Sequence, residues 1–446
     1  MDKKTDILVI GGGPAGIISA VTARKYYPDK KILLIKSVGE GVVPCGIPYM
    51  LSSLKSPDEN RLGDESLKKN DVEVIVEEAV EINRDEKFIL TGGNNRYYYE
   101  KLVLAIGSKP VSPAICGIDK QGVYFVYKDM NYLKDMVERV RGARNVLVLG
   151  GGFIGVEFAD ELSKIKGVNV YLVELLPRLL ANSFDPEFSS LAEEKLRSKG
   201  VKVLTNTKVE EFIGKEKVEK ARLSNGKVID TDYVILGIGA IPNTDLALNC
   251  GLEIGKGRGI WVDEYMRTTD PDIFAVGDCA GKRDFFTRKD APILLASIAC
   301  AEARIAGANL YQLKVVRENK GTIGIYSTYV DGLVLATAGH TENSAKKEGF
   351  EISIGKFEGV DKHPSSLPGA NKIKVKLIFS KQSGIILGGQ VAGGFSVGEL
   401  INAIGIAIQK RVSLTELETL QMATHPYLTS APTRYPLSLA AQDACL

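Results

Sequence analysis

The chain has 446 residues, 44% of them hydrophobic and 25% charged, a length that allows about three domains, each able to bury its own core. Its 57 basic and 55 acidic residues leave a formal net charge of +2, so no electrostatic pull toward nucleic acid or a membrane surface is written into it. Apolar runs are short and broken by charge or glycine, and a strand begins within a few residues of the start, so neither a membrane span nor a signal peptide is expected.

The first element is the apolar run Asp6-Ile7-Leu8-Val9-Ile10, which reads as a buried parallel strand. It feeds into Gly11-Gly12-Gly13-Pro14-Ala15-Gly16, and helix-type sequence runs from Pro14 to Tyr27. In this strand-turn-helix setting Gly11 makes the tight turn, Gly13 lets backbone approach a pyrophosphate, and Gly16 lets the helix pack close to the strand. The phosphates then rest on the helix N-terminus, whose free N–H groups and positive dipole end favour anions. Arg24 and Lys25, further along that helix, read as solvated charges in preference to contacts with an anionic substrate tail.

The next strand, Ile32-Leu33-Leu34-Ile35, ends at Lys36, where a ribose-binding acid is expected about 20 residues past such a fingerprint. A lysine accepts no hydrogen bond from ribose hydroxyls, which leaves that end of the site to backbone contacts or to Lys36 as a donor. Just beyond lies Val42-Val43-Pro44-Cys45-Gly46-Ile47-Pro48-Tyr49, where a loop is expected to enter a helix. A cysteine at a helix N-terminus has a lowered pKa, and the thiolate is the reactive form. The run Leu102 to Pro110, with Ala105 and Gly107 inside it, closes the first α/β unit near residue 112.

A second α/β unit, 113–244, repeats the pattern. The strand Asn145-Val146-Leu147-Val148-Leu149 feeds Gly150-Gly151-Gly152-Phe153-Ile154-Gly155, and helix-type sequence continues to Lys166. Here the following strand, Val170 to Val173, does end in an acid, Glu174. Its carboxylate takes both ribose hydroxyls and repels a 2′-phosphate, which favours NADH over NADPH. The unit closes with Gly237-Ile238-Gly239-Ala240-Ile241-Pro242-Asn243.

Residues 245–320 return to the first unit, with a strand at Thr269 to Gly277 that presents Asp278 and a helix running to about Leu310. From 321 to 446 the texture changes to five strands and two helices, an α+β domain without a nucleotide motif. The tail is read as frayed, with Cys445 incidental. The cysteines at 45, 116, 250, 279, 300 and 445 show no C-x-x-C and no metal-ligand spacing, so a reducing cytoplasm and no metal site are expected.

The paired fingerprints, Ala105-Ile106-Gly107-Ser108, the Gly239 segment, Ala275-Val276-Gly277-Asp278 and Cys45-Gly46-Ile47-Pro48-Tyr49 together resemble the FAD-dependent pyridine nucleotide-disulfide oxidoreductases. The likeness spans essentially the whole chain. Within that family it is strongest to the single-cysteine branch that contains coenzyme A disulfide reductases, NADH oxidases, NADH peroxidase and NADH-dependent persulfide reductases. The resemblance implies an FAD-binding domain from residues 1–112 and 245–320, an NAD(P)H-binding domain over 113–244 and a C-terminal domain that forms a homodimer. It makes Gly11, Gly13 and Gly16 the FAD pyrophosphate loop, Asp278 the ligand of the ribitol hydroxyls and Cys45 the redox thiol.

Where paired-cysteine relatives carry a second cysteine, this chain has Met50, so Cys45 must cycle as a mixed disulfide, a persulfide or a sulfenic acid. Glu157 resembles a family glutamate near the nicotinamide, or is an ordinary first-turn acid. In Ala423-Thr424-His425-Pro426-Tyr427, His425 is either an acid/base toward the thiol or a packing residue, with Tyr427 and Tyr435 as alternative donors. The implied activity is an NADH-dependent reduction of a small disulfide or persulfide such as coenzyme A disulfide. The alternatives are oxygen reduction by an NADH oxidase and a redox-sensing or electron-delivery flavoprotein that docks a protein partner.

Overall fold

The two apolar runs ahead of the glycine fingerprints form the centres of two parallel sheets in the computed structural model, which describes residues 2–318 and 321–445. In the first, Ile7–Ile10 lies between Lys101–Leu104 and Ile32–Lys36, flanked by Ile273–Ala275 and Glu73–Val76. In the second, Asn145–Leu149 lies between Tyr233–Leu236 and Asn169–Val173, flanked by Val123–Phe125 and Lys202–Leu204. Strands that are apolar on both faces are what a sheet covered on both sides requires, and Ile7, Leu8, Val9, Val146, Leu147 and Val148 are all fully buried.

The strand Ile273–Ala275 follows the second unit in sequence yet pairs with Lys101–Leu104. The chain therefore leaves the first sheet, builds the second and returns. Exit and return run side by side, because Ser108–Pro110 pairs antiparallel with Ala240–Pro242. The first fingerprint helix, Pro14–Tyr26, packs on Ala296–Ala308, and small residues permit the approach: a Cβ on Gly307 would fall 2.7 Å from the Ser19 carbonyl oxygen.

The C-terminal domain is a five-stranded antiparallel sheet in the order Ile325–Val330, Leu333–Gly339, Ile386–Gly393, Lys372–Ser380, Ile352–Val360. Helix Val397–Gln409 covers it, as expected. The tail departs from the frayed segment expected of it: Pro436–Ala444 is a helix, started by Pro436 and packed on the strand Ile352–Val360 through buried Leu437, Ala440 and Ala441. Glycine permits that approach, since a Cβ on Gly355 would fall 1.6 Å from the Ala440 carbonyl oxygen. Cys445 stands exposed at the end of this helix, its Sγ 3.8 Å from Glu418 Oε2.

A buried charge cluster ties this domain to the second unit. Lys376 Nζ lies 2.9 Å from Asp185, 2.8 Å from Glu187 and 2.7 Å from Glu342. The three carboxylates sit close enough to share a metal ion, and the ammonium of Lys376 bonds all of them. Gln390 donates to Asp185 as well and accepts its backbone N–H. Among the described residues no helix is long and apolar enough to cross a membrane.

Candidate active site

Both fingerprints leave open space at an uncapped helix start. Gly11 has φ +117°, and a Cβ there would lie 2.1 Å from the Ala105 carbonyl oxygen, which is why the turn beside Ala105 needs glycine. Gly13, by contrast, has open space where a side chain would be, and as N-cap of Pro14–Tyr26 it supplies no side-chain acceptor to the helix. The second loop repeats this: Gly152 faces open space at the uncapped start of Phe153–Ser163, with Gly150 and Gly155 packed tightly beneath it. Uncapped amides below open space are the fit a pyrophosphate needs, so FAD and NAD(H) suit these residues. Gly107 and Gly239 flank the paired segments Ser108–Pro110 and Ala240–Pro242, and Ala15 packs close to Gly277.

The two strand ends differ as the sequence indicated. Glu174 accepts the backbone N–H of Gly151 and of Leu176, which holds its carboxylate against the second loop. Lys36 is buried and donates to both carboxylate oxygens of Asp64, at 2.8 and 2.7 Å, and to the carbonyl of Gly39 at 2.9 Å.

Asp278 sits in a 3-10 turn, Gly277–Cys279, and its Oδ2 accepts from the Ser108 hydroxyl at 2.7 Å, with Lys128 Nζ at 3.4 Å. That turn is braced from behind. Glu302 accepts the Gly277 N–H, Lys282 donates to the Gly277 and Ala280 carbonyls, and the two buried side chains pair at 3.0 Å.

Cys45 does not start an α-helix. It lies in the 3-10 turn Pro44–Gly46, which Pro48–Leu51 continues, so the lowered pKa expected from a helix dipole is not found. The thiol is exposed, yet the protein packed around it raises its pKa, the Glu157 carboxylate raises it further, Lys128 opposes and Asp278 adds. Charges from both nucleotide units thus act on one sulfur.

Glu157 is buried on the second fingerprint helix and accepts from the Thr328 hydroxyl of the C-terminal domain at 2.9 Å. Burial pushes its pKa up to about 7, the Thr328 hydroxyl opposes, and Asp160 and Glu161 on the same helix add to the rise. This acid is more than a first-turn charge. Because its folded pKa lies above the ordinary 4.5, the stability it contributes is present below that value and lost as pH rises through 7. The melting temperature of the wild type should therefore fall relative to Glu157→Gln between those pH values, by the equivalent of at most about 3 kcal/mol. A difference that does not change with pH would show that the group is not held protonated.

His425, Tyr427 and Tyr435 lie in the C-terminal domain, after the last strand of its sheet. His425 is exposed and its Nδ1 accepts the Tyr427 N–H at 3.2 Å. Tyr427 is 54% exposed beneath Lys362, and Phe395, Ile406 and Leu428 of the same domain are 79%, 60% and 68% exposed. Tyr435 instead packs into the C-terminal core. Arg24 is committed to structure, donating to the carbonyls of Pro28, Lys30, Asn70 and Asp71. Sequence reasoning did not find Asp64, Lys128, Thr328, Lys282 or Glu302, which belong to no motif themselves; Lys128 and Thr328 also meet partners 150 and 171 residues away.

The sequence profile of the Pyridine nucleotide-disulphide oxidoreductase family matches residues 5–303, and that of the Pyridine nucleotide-disulphide oxidoreductase dimerisation domain matches 325–435. The chain is similar to an NADH oxidase of Methanocaldococcus jannaschii, 33% identical with 98% of each chain covered. It is similar also to an NAD(P)H coenzyme A polysulfide/persulfide reductase of Pyrococcus horikoshii, 30% identical with 88% of each covered. Among solved structures, an NAD-dependent persulfide reductase from A. fulgidus superposes with TM-score 0.92 at 30% identity, over 100% of this chain and 83% of that one.

Proposed function

Because this chain belongs to the pyridine nucleotide-disulphide oxidoreductase family, an FAD-dependent family of NAD(P)H oxidoreductases, we propose that it uses NADH to reduce a low-molecular-weight disulfide or persulfide, such as coenzyme A disulfide, through Cys45. The observation that carries this reading is the exposed Cys45 thiol set among Glu157 of one nucleotide unit and Asp278 of the other. FAD held by the first unit would supply the route by which an electron pair from NADH reaches the thiol site.

Gly11, Gly13 and Gly16, with Pro14 and Ala15 at the uncapped helix start, would hold the FAD pyrophosphate, and Asp278, oriented by Ser108, would take the ribitol hydroxyls. Gly150, Gly152, Ile154 and Gly155 would hold that of NADH, and Glu174 would take its ribose. The Cys45 thiolate attacks one sulfur of the substrate, forming a mixed disulfide and releasing the other half as a thiol. Lys128 stabilises the thiolate, and Glu157, with a pKa near neutrality, holds or releases a proton beside it. In the homodimer, His425 or Tyr427 of the dimerisation domain reaches the partner's Cys45 site as the acid for the leaving thiolate.

Oxygen reduction is the second reading, favoured by the likeness to the M. jannaschii NADH oxidase. A screen of NADH consumption without oxygen decides between them: coenzyme A disulfide or a persulfide should sustain turnover. Turnover that needs oxygen, whatever sulfur compound is present, would favour the oxidase.

The ribose carboxylate also predicts cofactor choice. NADH should exceed NADPH in kcat/KM by about tenfold or more, and Glu174→Ala should narrow the gap. Equal use of both nucleotides by the wild type, or unchanged selectivity in the variant, contradicts the role given to Glu174.

A further inference from the structure

The first nucleotide unit lacks the acid that the second carries, and the structure offers a replacement. Lys36 and Glu174 occupy equivalent places beneath their loops. A Cβ on Gly12 would come 2.7 Å from Lys36 Cδ and 3.0 Å from its Cβ, while a Cβ on Gly151 would lie 3.0 Å from both Cβ and Oε2 of Glu174. The Glu174 carboxylate therefore stays at its loop, but the longer stem of Lys36 runs past the same point and carries its ammonium to Asp64.

Asp64 behaves unusually for its position. It is the N-cap of Glu65–Lys69, where an aspartate ordinarily accepts the helix's own N–H groups, and it makes no such bond. Both of its oxygens turn to Lys36 Nζ instead, and its side chain remains 26% exposed. A carboxylate offers about four acceptor sites. Among the described residues Lys36 is its one side-chain partner, so acceptor capacity is left over at the edge of the loop.

We propose that Asp64 is the relocated carboxylate that accepts the adenosine ribose hydroxyls of the flavin nucleotide, with Lys36 as the arm that positions it. This rests on the reading that the first fingerprint holds FAD. It accounts for a lysine at a strand end that ordinarily needs an acceptor, since the pair as a whole supplies the acceptor that Lys36 lacks.

The test is a fluorescence titration of the apoprotein with FAD. Lys36→Met/Asp64→Asn removes both charges, leaves no buried ion without a partner, and should raise the FAD dissociation constant about tenfold or more, the scale of lost charge-assisted hydrogen bonds. The reversal Lys36→Glu/Asp64→Lys, which puts an acid where Glu174 stands in the other unit, should recover most of that loss. If Asp64 serves only to neutralise Lys36, the uncharged pair binds FAD within about twofold of the wild type, and the assignment is overturned. Failure of the wild-type apoprotein to take up FAD at all would overturn the reading of the fingerprint, and with it this assignment.

Discussion

Cys45→Ser is expected to retain bound FAD and its reduction by NADH while losing disulfide or persulfide reduction by at least about a hundredfold, the scale of a lost covalent step. The expectation follows from placement. Cys45 is the exposed thiol whose electrostatic neighbours include Glu157 and Asp278, one from each nucleotide unit. Cys279 is buried in the first core, and Cys445 stands at the end of the last helix beside Glu418. Serine keeps the size of the side chain but forms no mixed disulfide. Stopped-flow reduction of the flavin by NADH, run beside steady-state disulfide reduction, separates the two half-reactions. Normal disulfide turnover in the variant would remove Cys45 from the mechanism.

Mixing Cys45→Ser chains with His425→Ala chains should restore disulfide reduction that neither homodimer supports, because a heterodimer contains one site with both residues intact. His425 and Tyr427 are exposed on the dimerisation domain, where a partner subunit can reach them. The dimerisation domain also exposes the apolar residues Phe395, Ile406 and Leu428, which a partner subunit would cover. Full activity of His425→Ala alone would make the histidine a packing residue. No gain on mixing, once subunit exchange is verified by native mass spectrometry, would contradict a site shared between subunits.

Much of the fold was legible because it is periodic or punctuated. Both fingerprint strands are unbroken apolar runs closed by glycine, and Val397–Gln409 has the bounds its helical period indicates. The last helix was not legible, since Pro436–Ala444 is short and its apolar residues gain meaning only against the strand at Gly355. The site divides the same way. Glycines and strand-end residues announce a nucleotide, whereas Lys128, Thr328 and Asp64 act through partners far away in sequence. The Cys45 pKa was misjudged for a related reason: a loop followed by Gly-Ile-Pro reads as a helix start, but the chain forms successive 3-10 turns, and burial with Glu157 outweighs any dipole.

The most direct measurement of the central claim is an anaerobic single-turnover experiment. Protein reduced with stoichiometric NADH is mixed with coenzyme A disulfide while flavin absorbance and thiol release are followed together. The account predicts that the flavin is reoxidised at the rate of steady-state turnover, with both halves of the disulfide released as thiols, and that Cys45→Ser shows neither change. A flavin that stays reduced with coenzyme A disulfide, other small disulfides and persulfides alike, and recovers only when oxygen is admitted, would contradict it.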